Sequence, residues 1–259
     1  ILFLVNRSYK LVITFYIILG VYHTNAQGDS MMYQIIDEIS AERIENDITT
    51  LVSFGTRHTL SDTISETRGI GAARRWIKSQ FEEISKNCNN CLEVFYEKSY
   101  VTKNTYDEAS PRERIIFPTW IYNVVAIQRG LKNPNRFIIM SGDIDSRISD
   151  PTNYIDDSPG ANDNASGMAG TIEAARILSK HKFDNSIIYV GLSGEEQGLL
   201  GGKSLAKFSK RKGWDVIGII NNDMIGNIEG VDGVIDNRSF RIFSEPFFFN
   251  SKYSNKLNM

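Results

Sequence analysis

Between residues 136 and 222 three apolar runs alternate with two stretches of helical period, and this order limits the fold more than any other feature. The runs are Phe137-Ile138-Ile139-Met140, Ile187-Ile188-Tyr189-Val190 and Val216-Ile217-Gly218-Ile219-Ile220. They read as strands at about 137–141, 186–192 and 216–222, with helices at about 164–180 and 197–212 between them. Strand, helix, strand, helix, strand is the pattern of a largely parallel sheet sandwiched by helices. Right-handed crossovers keep the carboxyl ends of such strands on one edge, and in open α/β sheets that edge is where ligands bind.

Upstream, Ser40 is placed as the N-cap of a helix whose Ile44, Ile48, Leu51 and Val52 share a face, and residues 31 to 39 are also helical in period. Gly55 to Asp62 reads as a loop. A second helical pattern at 68–86 puts Ala72, Ala73, Trp76, Ile77 and Phe81 on its apolar side, and Leu92–Tyr100 and Ile115–Ile127 read as strands. At the N-terminus, Arg7 and Lys10 precede the apolar run Leu11–Val21 and the small-residue end Thr24-Asn25-Ala26. That is the form of a secretory signal peptide cleaved after Ala26, and the run is short for a bilayer span of roughly 20 residues. The expected organisation is residues 1–26 as signal, 27–246 as one α/β domain and 247–259 as an irregular tail, whose composition fits disorder or a shifted reading frame.

A net charge of −2 gives no basic footprint for nucleic acid and points to a small-molecule or peptide substrate. The two cysteines, Cys88 and Cys91, are expected to pair in an exported chain. A zinc half-site would need two more ligands nearby, and a redox centre would need a βαβ frame around the pair.

Each of the three apolar runs stops on acids. Asp143 and Asp145 follow the first, Glu195 and Glu196 the second and Asp223 the third, while Asp163 lies just ahead of a helix. Singly these have ordinary explanations: a helix N-cap for Asp163, turn formers for Asp143 and Asp145, first-turn acids for Glu195 and Glu196, a strand end for Asp223. Gathered on one rim they would repel one another unless divalent cations sat among them. Adjacent glutamates at a strand end point in different directions, so one can ligate a metal while the other serves as base.

The segments Ser141-Gly142-Asp143-Ile144-Asp145-Ser146, Pro159-Gly160-Ala161-Asn162-Asp163-Asn164-Ala165-Ser166-Gly167, Ser193-Gly194-Glu195-Glu196-Gln197-Gly198-Leu199 and Asn222-Asp223-Met224-Ile225-Gly226 together resemble metallopeptidase family twenty-eight, which includes bacterial leucyl aminopeptidases and aminopeptidase Y. The resemblance implies a three-layer helix/sheet/helix fold of the zinc-exopeptidase type and an aminopeptidase acting on peptide or protein N-termini. It implies two divalent ions, zinc in the family, with Asp163 bridging both, Asp223 completing the first, Glu196 binding the second, Glu195 as general base and Asp145 orienting the first ligand. Two positions depart from the family. Asp143 stands where the family has a metal-binding His, which shifts the site toward harder ions such as manganese. A last His near the family's C-terminus has no counterpart, so the fold is expected to be incomplete at that end. Of the three histidines, His23 lies in the signal region, His58 in an early loop near the rim and His181 after a helix at the opposite edge, and none replaces the missing ligand. Competing readings are a binding module that keeps the fold without the metal chemistry, and a glutaminyl-cyclase-like transferase.

Overall fold

The computed structural model describes residues 30–102 and 113–243; the signal peptide expected at 1–26 and the tail expected at 247–259 lie outside them. Helix α1 (Ala41–Ser53) starts where Ser40 Oγ accepts from the Arg43 amide at 3.2 Å, the cap expected of a serine at that position. Helix α2 (Gly69–Asn87) buries Ala72, Ala73, Ile77 and Phe81, the apolar side its period marks out. Strands β1 (Leu92–Val101) and β2 (Thr119–Gln128) follow as an antiparallel pair. The alternating half of the chain comes next: β3 (Asn133–Asp143), helix α3 (Gly167–Leu178), β4 (Asn185–Leu192), helix α4 (Leu200–Lys212) and β5 (Asp215–Asn222).

The five strands form one mixed sheet in the order β1-β2-β4-β3-β5. β3 pairs in parallel with β4 and β5, as the alternation requires, whereas β2 joins β4 antiparallel. Because strand side chains alternate between faces, two cores form. On one face Val124, Ala126 and Tyr189 pack with Leu51, Phe81, Met168 and Ile172 from α1, α2 and α3. On the other, Val125, Ile127, Ile188 and Val190 pack with Leu205 of α4, and Phe208 and Trp214 extend the cluster. The expected three layers are therefore present, with α1, α2 and α3 on one side and α4 on the other.

The chain leaves β3 toward α3 on the first face and β4 toward α4 on the second. Right-handed crossovers running in opposite directions across a sheet require this. The carboxyl ends of β3 and β4 are thus neighbours whose connections diverge, the switch point at which α/β sheets open a crevice. Asp143, Asp145, Glu195 and Glu196 follow these two ends.

Close backbone approach fixes the third and fourth segments there. A Cβ on Gly167, at the start of α3, would lie 2.1 Å from the Asn222 carbonyl oxygen and 2.4 Å from Asn164 Oδ1; one on Gly142 would lie 2.6 Å from the Gly167 carbonyl carbon. Only hydrogen fits, so β3, α3 and the end of β5 meet without intervening side chains. Gly167→Ala is accordingly expected to destabilise the chain by about 1–3 kcal/mol, the range for overpacking, measured as a fall in denaturant midpoint; an unchanged midpoint would contradict this packing.

β5 lies at one edge of the sheet and, among the described residues, pairs with β3 alone. Its Ile217, Ile219 and Ile220 are 42, 65 and 51 % exposed, and Met224, Ile225 and Ile228 beyond it are also exposed. An edge strand with apolar residues open to solvent is unusual for a finished sheet. Cys88 and Cys91 are joined in a disulfide just after α2. Among the described residues no helix is long and apolar enough to cross a membrane.

Candidate metal and catalytic rim

The rim is organised by Asp145, which is almost fully buried. Its Oδ1 accepts from the Gly194 and Glu195 amides at 2.8 and 3.1 Å, and its Oδ2 from the Glu196 amide at 3.1 Å and Thr59 Oγ1 at 3.0 Å. One carboxylate therefore holds the whole turn that carries both glutamates. Burial raises its carboxyl above the ordinary range, and the donors around it work in the other direction.

The ordinary roles of Asp163, Glu195 and Glu196 are not realised. Asp163 caps no helix: it sits inside a short π-type turn, Ala161–Ser166, its peptide bond to Asn164 is cis, and α3 begins only at Gly167 with no side-chain cap. Glu195 and Glu196 precede α4 rather than occupying its first turn, because the helix starts at Leu200. Glu196 is buried and its Oε2 meets Arg147 Nε at 2.5 Å. Asp223 follows β5 and is exposed.

Asp143 is buried at the end of β3, where its Oδ2 accepts from Asn164 Nδ2 at 3.0 Å. The same amide nitrogen donates to the Asn222 carbonyl at 2.9 Å, and Asn164 Oδ1 accepts from the Gly167 and Met224 amides at 3.1 and 3.2 Å. Asn164 thus laces β3, the start of α3 and the end of β5 together, a role its place beside Asp163 in the sequence does not reveal.

Burial, with repulsion from Asp145, Glu195 and Asp223, pushes the Asp143 carboxyl up to about 8. Burial and the charges of Asp145, Glu196, Asp223 and Asp163 push Glu195 up to about 7. Asp223 is raised by burial and by Asp163, and Glu196 by burial and then by Asp145 and Asp163. Carboxylates crowded so that they hold protons near neutral pH are an oxygen-rich donor set suited to a divalent cation. Among the described residues, no three His, Cys, Asp or Glu side chains converge as a ready chelate; Glu196 and Asp143 turn instead to Arg147 and Asn164.

His58 is fully buried and no part of this set. Its Nδ1 accepts from the Leu60 amide at 3.0 Å and its Nε2 lies 3.0 Å from the Pro151 carbonyl, so both ring nitrogens are engaged. His181 follows α3 at the far end, its carbonyl accepting from Gln128 Nε2 at 2.7 Å.

The raised Asp143 carboxyl has a sign that can be checked. A folded-state value near 8 against the ordinary 3.8 means that the folded form keeps a proton that the unfolded chain gives up. The stability linked to it is full below about 4 and is lost as pH rises toward 8. Without added metal, the melting temperature of the wild type is expected to fall between pH 5 and pH 8 relative to that of Asp143→Asn, each kcal/mol of loss being worth roughly 2–4 °C. Parallel curves for the two proteins would show that Asp143 titrates normally.

Comparison with known proteins accords with this geometry. Residues 123–239, which span β2 to the segment beyond β5, match the profile of Peptidase family M28. A protein of Pyrenophora teres f. teres named "Probable zinc metalloprotease" is 44% identical over 217 residues, covering 84% of this chain and 43% of its own length. The chain thus spans less than half the length of that relative. Among solved structures, BSAP, a zinc aminopeptidase from Bacillus subtilis, superposes with a TM-score of 0.55 at 14% identity over 73% of this chain and 70% of that one. Fimbriiglobus ruber glutaminyl cyclase superposes with a TM-score of 0.50 at 18% identity over 70% of this chain and 59% of that one. The fold is common to both, and the match to peptidase family M28 spans residues 123–239, where all the rim acids lie.

Proposed function

We propose that this chain works as, or within, an exported metal-dependent aminopeptidase that hydrolyses the N-terminal peptide bond of peptides and proteins. The observation that carries the reading is the grip of Asp145 on the Gly194–Glu196 turn, which sets Glu195 and Glu196 at the switch point beside Asp143. Asp163 would bridge two ions, Asp143 and Asp223 would complete the first, and Glu196 would leave Arg147 to bind the second. Such ions, zinc or manganese, would polarise the scissile carbonyl and lower the pKa of water toward about 7.

Glu195 is the proton carrier of this scheme. A carboxyl held near 7 can take the proton of the attacking water and return it to the leaving amine, because a group whose pKa matches the working pH serves both directions. Asp145 contributes by fixing the backbone from which Glu195 projects. The paired cysteines and the N-terminal apolar run support export.

The test is to purify the full chain and measure zinc and manganese stoichiometry together with hydrolysis of an amino-acyl anilide. At least one bound divalent ion and metal-dependent release of the aniline are expected. Binding of less than one ion with no turnover under either metal would defeat the proposal, and cyclisation of an N-terminal glutaminyl peptide in place of hydrolysis would redirect it to a transferase.

A further inference from the structure

Arg57 is almost fully buried at 1 % exposure, yet its guanidinium bonds to carbonyls rather than to a carboxylate. Nε donates to the Ile144 carbonyl at 2.8 Å, Nη1 to those of Leu51 and Pro159 at 3.1 and 2.6 Å, and Nη2 to that of Gly160 at 2.9 Å. The positions of those carbonyls matter. Ile144 lies between Asp143 and Asp145, and Gly160 lies three residues before Asp163 and accepts from the Ala165 amide at 3.1 Å, closing the turn that holds Asp163. The Arg57 amide also donates to Ser146 Oγ at 3.2 Å, and that hydroxyl donates to the Ser158 carbonyl at 2.7 Å.

One side chain therefore fastens the β3 exit loop to the loop of Asp163, and both to the end of α1. A buried cation is costly unless charge offsets it. Burial lowers the guanidinium to about 10, and Asp145 and Asp163 offset part of that cost through space.

We infer that Arg57 is a positioning residue of the acidic rim: it sets the spacing of the Asp143–Asp145 and Asp163 segments and places a fixed positive charge beside them. The inference rests on the metal-binding reading above. It differs from a simple loop staple in that removing Arg57 should weaken metal binding by more than a comparable loss of stability elsewhere does.

A suitable comparison is Arg176, a scaffold arginine that joins Asp47, Gln80 and Glu173 across the helices. The full wild-type chain, Arg57→Met, Arg57→Lys and Arg176→Met would be titrated with zinc against a chromophoric chelator, and the melting temperature of each recorded. Arg57→Met is expected to bind zinc about 10–100-fold more weakly, the range for residues that orient metal ligands. Arg57→Lys, which keeps the charge but not the fork of donors, should fall between it and the wild type. Arg176→Met should lose stability with zinc affinity unchanged.

If the wild type binds no zinc, the metal reading fails and this inference with it. If the wild type binds and Arg57→Met or Arg57→Lys binds equally well, only this inference fails. Equal weakening in Arg176→Met, or failure of both Arg57 variants to fold, would reduce Arg57 to a core staple and overturn its role at the rim.

Discussion

Glu195→Gln is expected to lower the turnover of an amino-acyl anilide by about 10²–10⁴-fold, the range for removal of a positioned proton carrier, without lowering the melting temperature. The two halves of this result have one cause. The Glu195 carboxyl is pushed up to about 7 by burial and by the acids around it, so the stability linked to its proton is lost as pH rises from about 4.5 to about 7. A neutral amide of the same shape removes the cost. Below about pH 4, where the glutamate holds its proton folded and unfolded alike, the two proteins should melt together; at pH 8 the variant should melt higher. A residue that serves the fold shows the opposite behaviour, so a fall in melting temperature at pH 8 with turnover retained would remove Glu195 from the role of base.

The second large effect is expected at Asp145. Asparagine keeps one oxygen for the Gly194 and Glu195 amides but turns an NH₂ toward the Glu196 amide, where donor now faces donor, while the Thr59 hydroxyl can give its proton to Gln197 and accept instead. The penalty for a buried donor left without an acceptor is about 1–3 kcal/mol. Because the misplaced backbone carries both glutamates, zinc affinity and turnover should fall together, by about 10–100-fold. Circular dichroism melts and chelator competition on Asp145→Asn would measure both. A stable variant with wild-type zinc affinity would show that the turn holds itself in place and would end the case for Asp145 as its organiser.

Much of this arrangement can be read from residue order because β3 and β4 are covered by helices on both faces. Phe137–Met140 and Ile187–Val190 therefore appear as unbroken apolar runs, and the acids at their ends fall on one edge by topology alone. Ser40 is legible for a local reason, since a cap bonds to an amide three residues away. What fails to show is whatever depends on distant partners. Helices expected from about 164 and 197 begin at Gly167 and Leu200, because Asn164 and Asp145 hold the preceding residues in turns through bonds that reach across the sheet edge. The strand expected from Ile115 begins at Thr119, Ile115 being drawn into a small cluster with Leu60 and Leu200. Arg57, Thr59 and Gln197 look like loop residues, yet Thr59 bonds to Asp145 and to Gln197, 86 and 138 residues away. No period encodes such a contact.

The outermost strand gives the rim an uneven stiffness. Asp143, Asp145 and the glutamates lie at or just beyond the ends of strands with a neighbour on each side, whereas Asp223 follows β5, which among the described residues only β3 retains. Local opening of an edge strand requires far less free energy than global unfolding, so amide protons of β5 should exchange well before those of β3 and β4. The acidic set can then come apart while the rest of the molecule stays folded. A ligand that binds only the assembled set holds the strand in place by mass action, in proportion to RT ln(1 + [L]/Kd). Occupancy of the rim and closure of the sheet edge are in this way one equilibrium, with Asp223 as the residue that joins them.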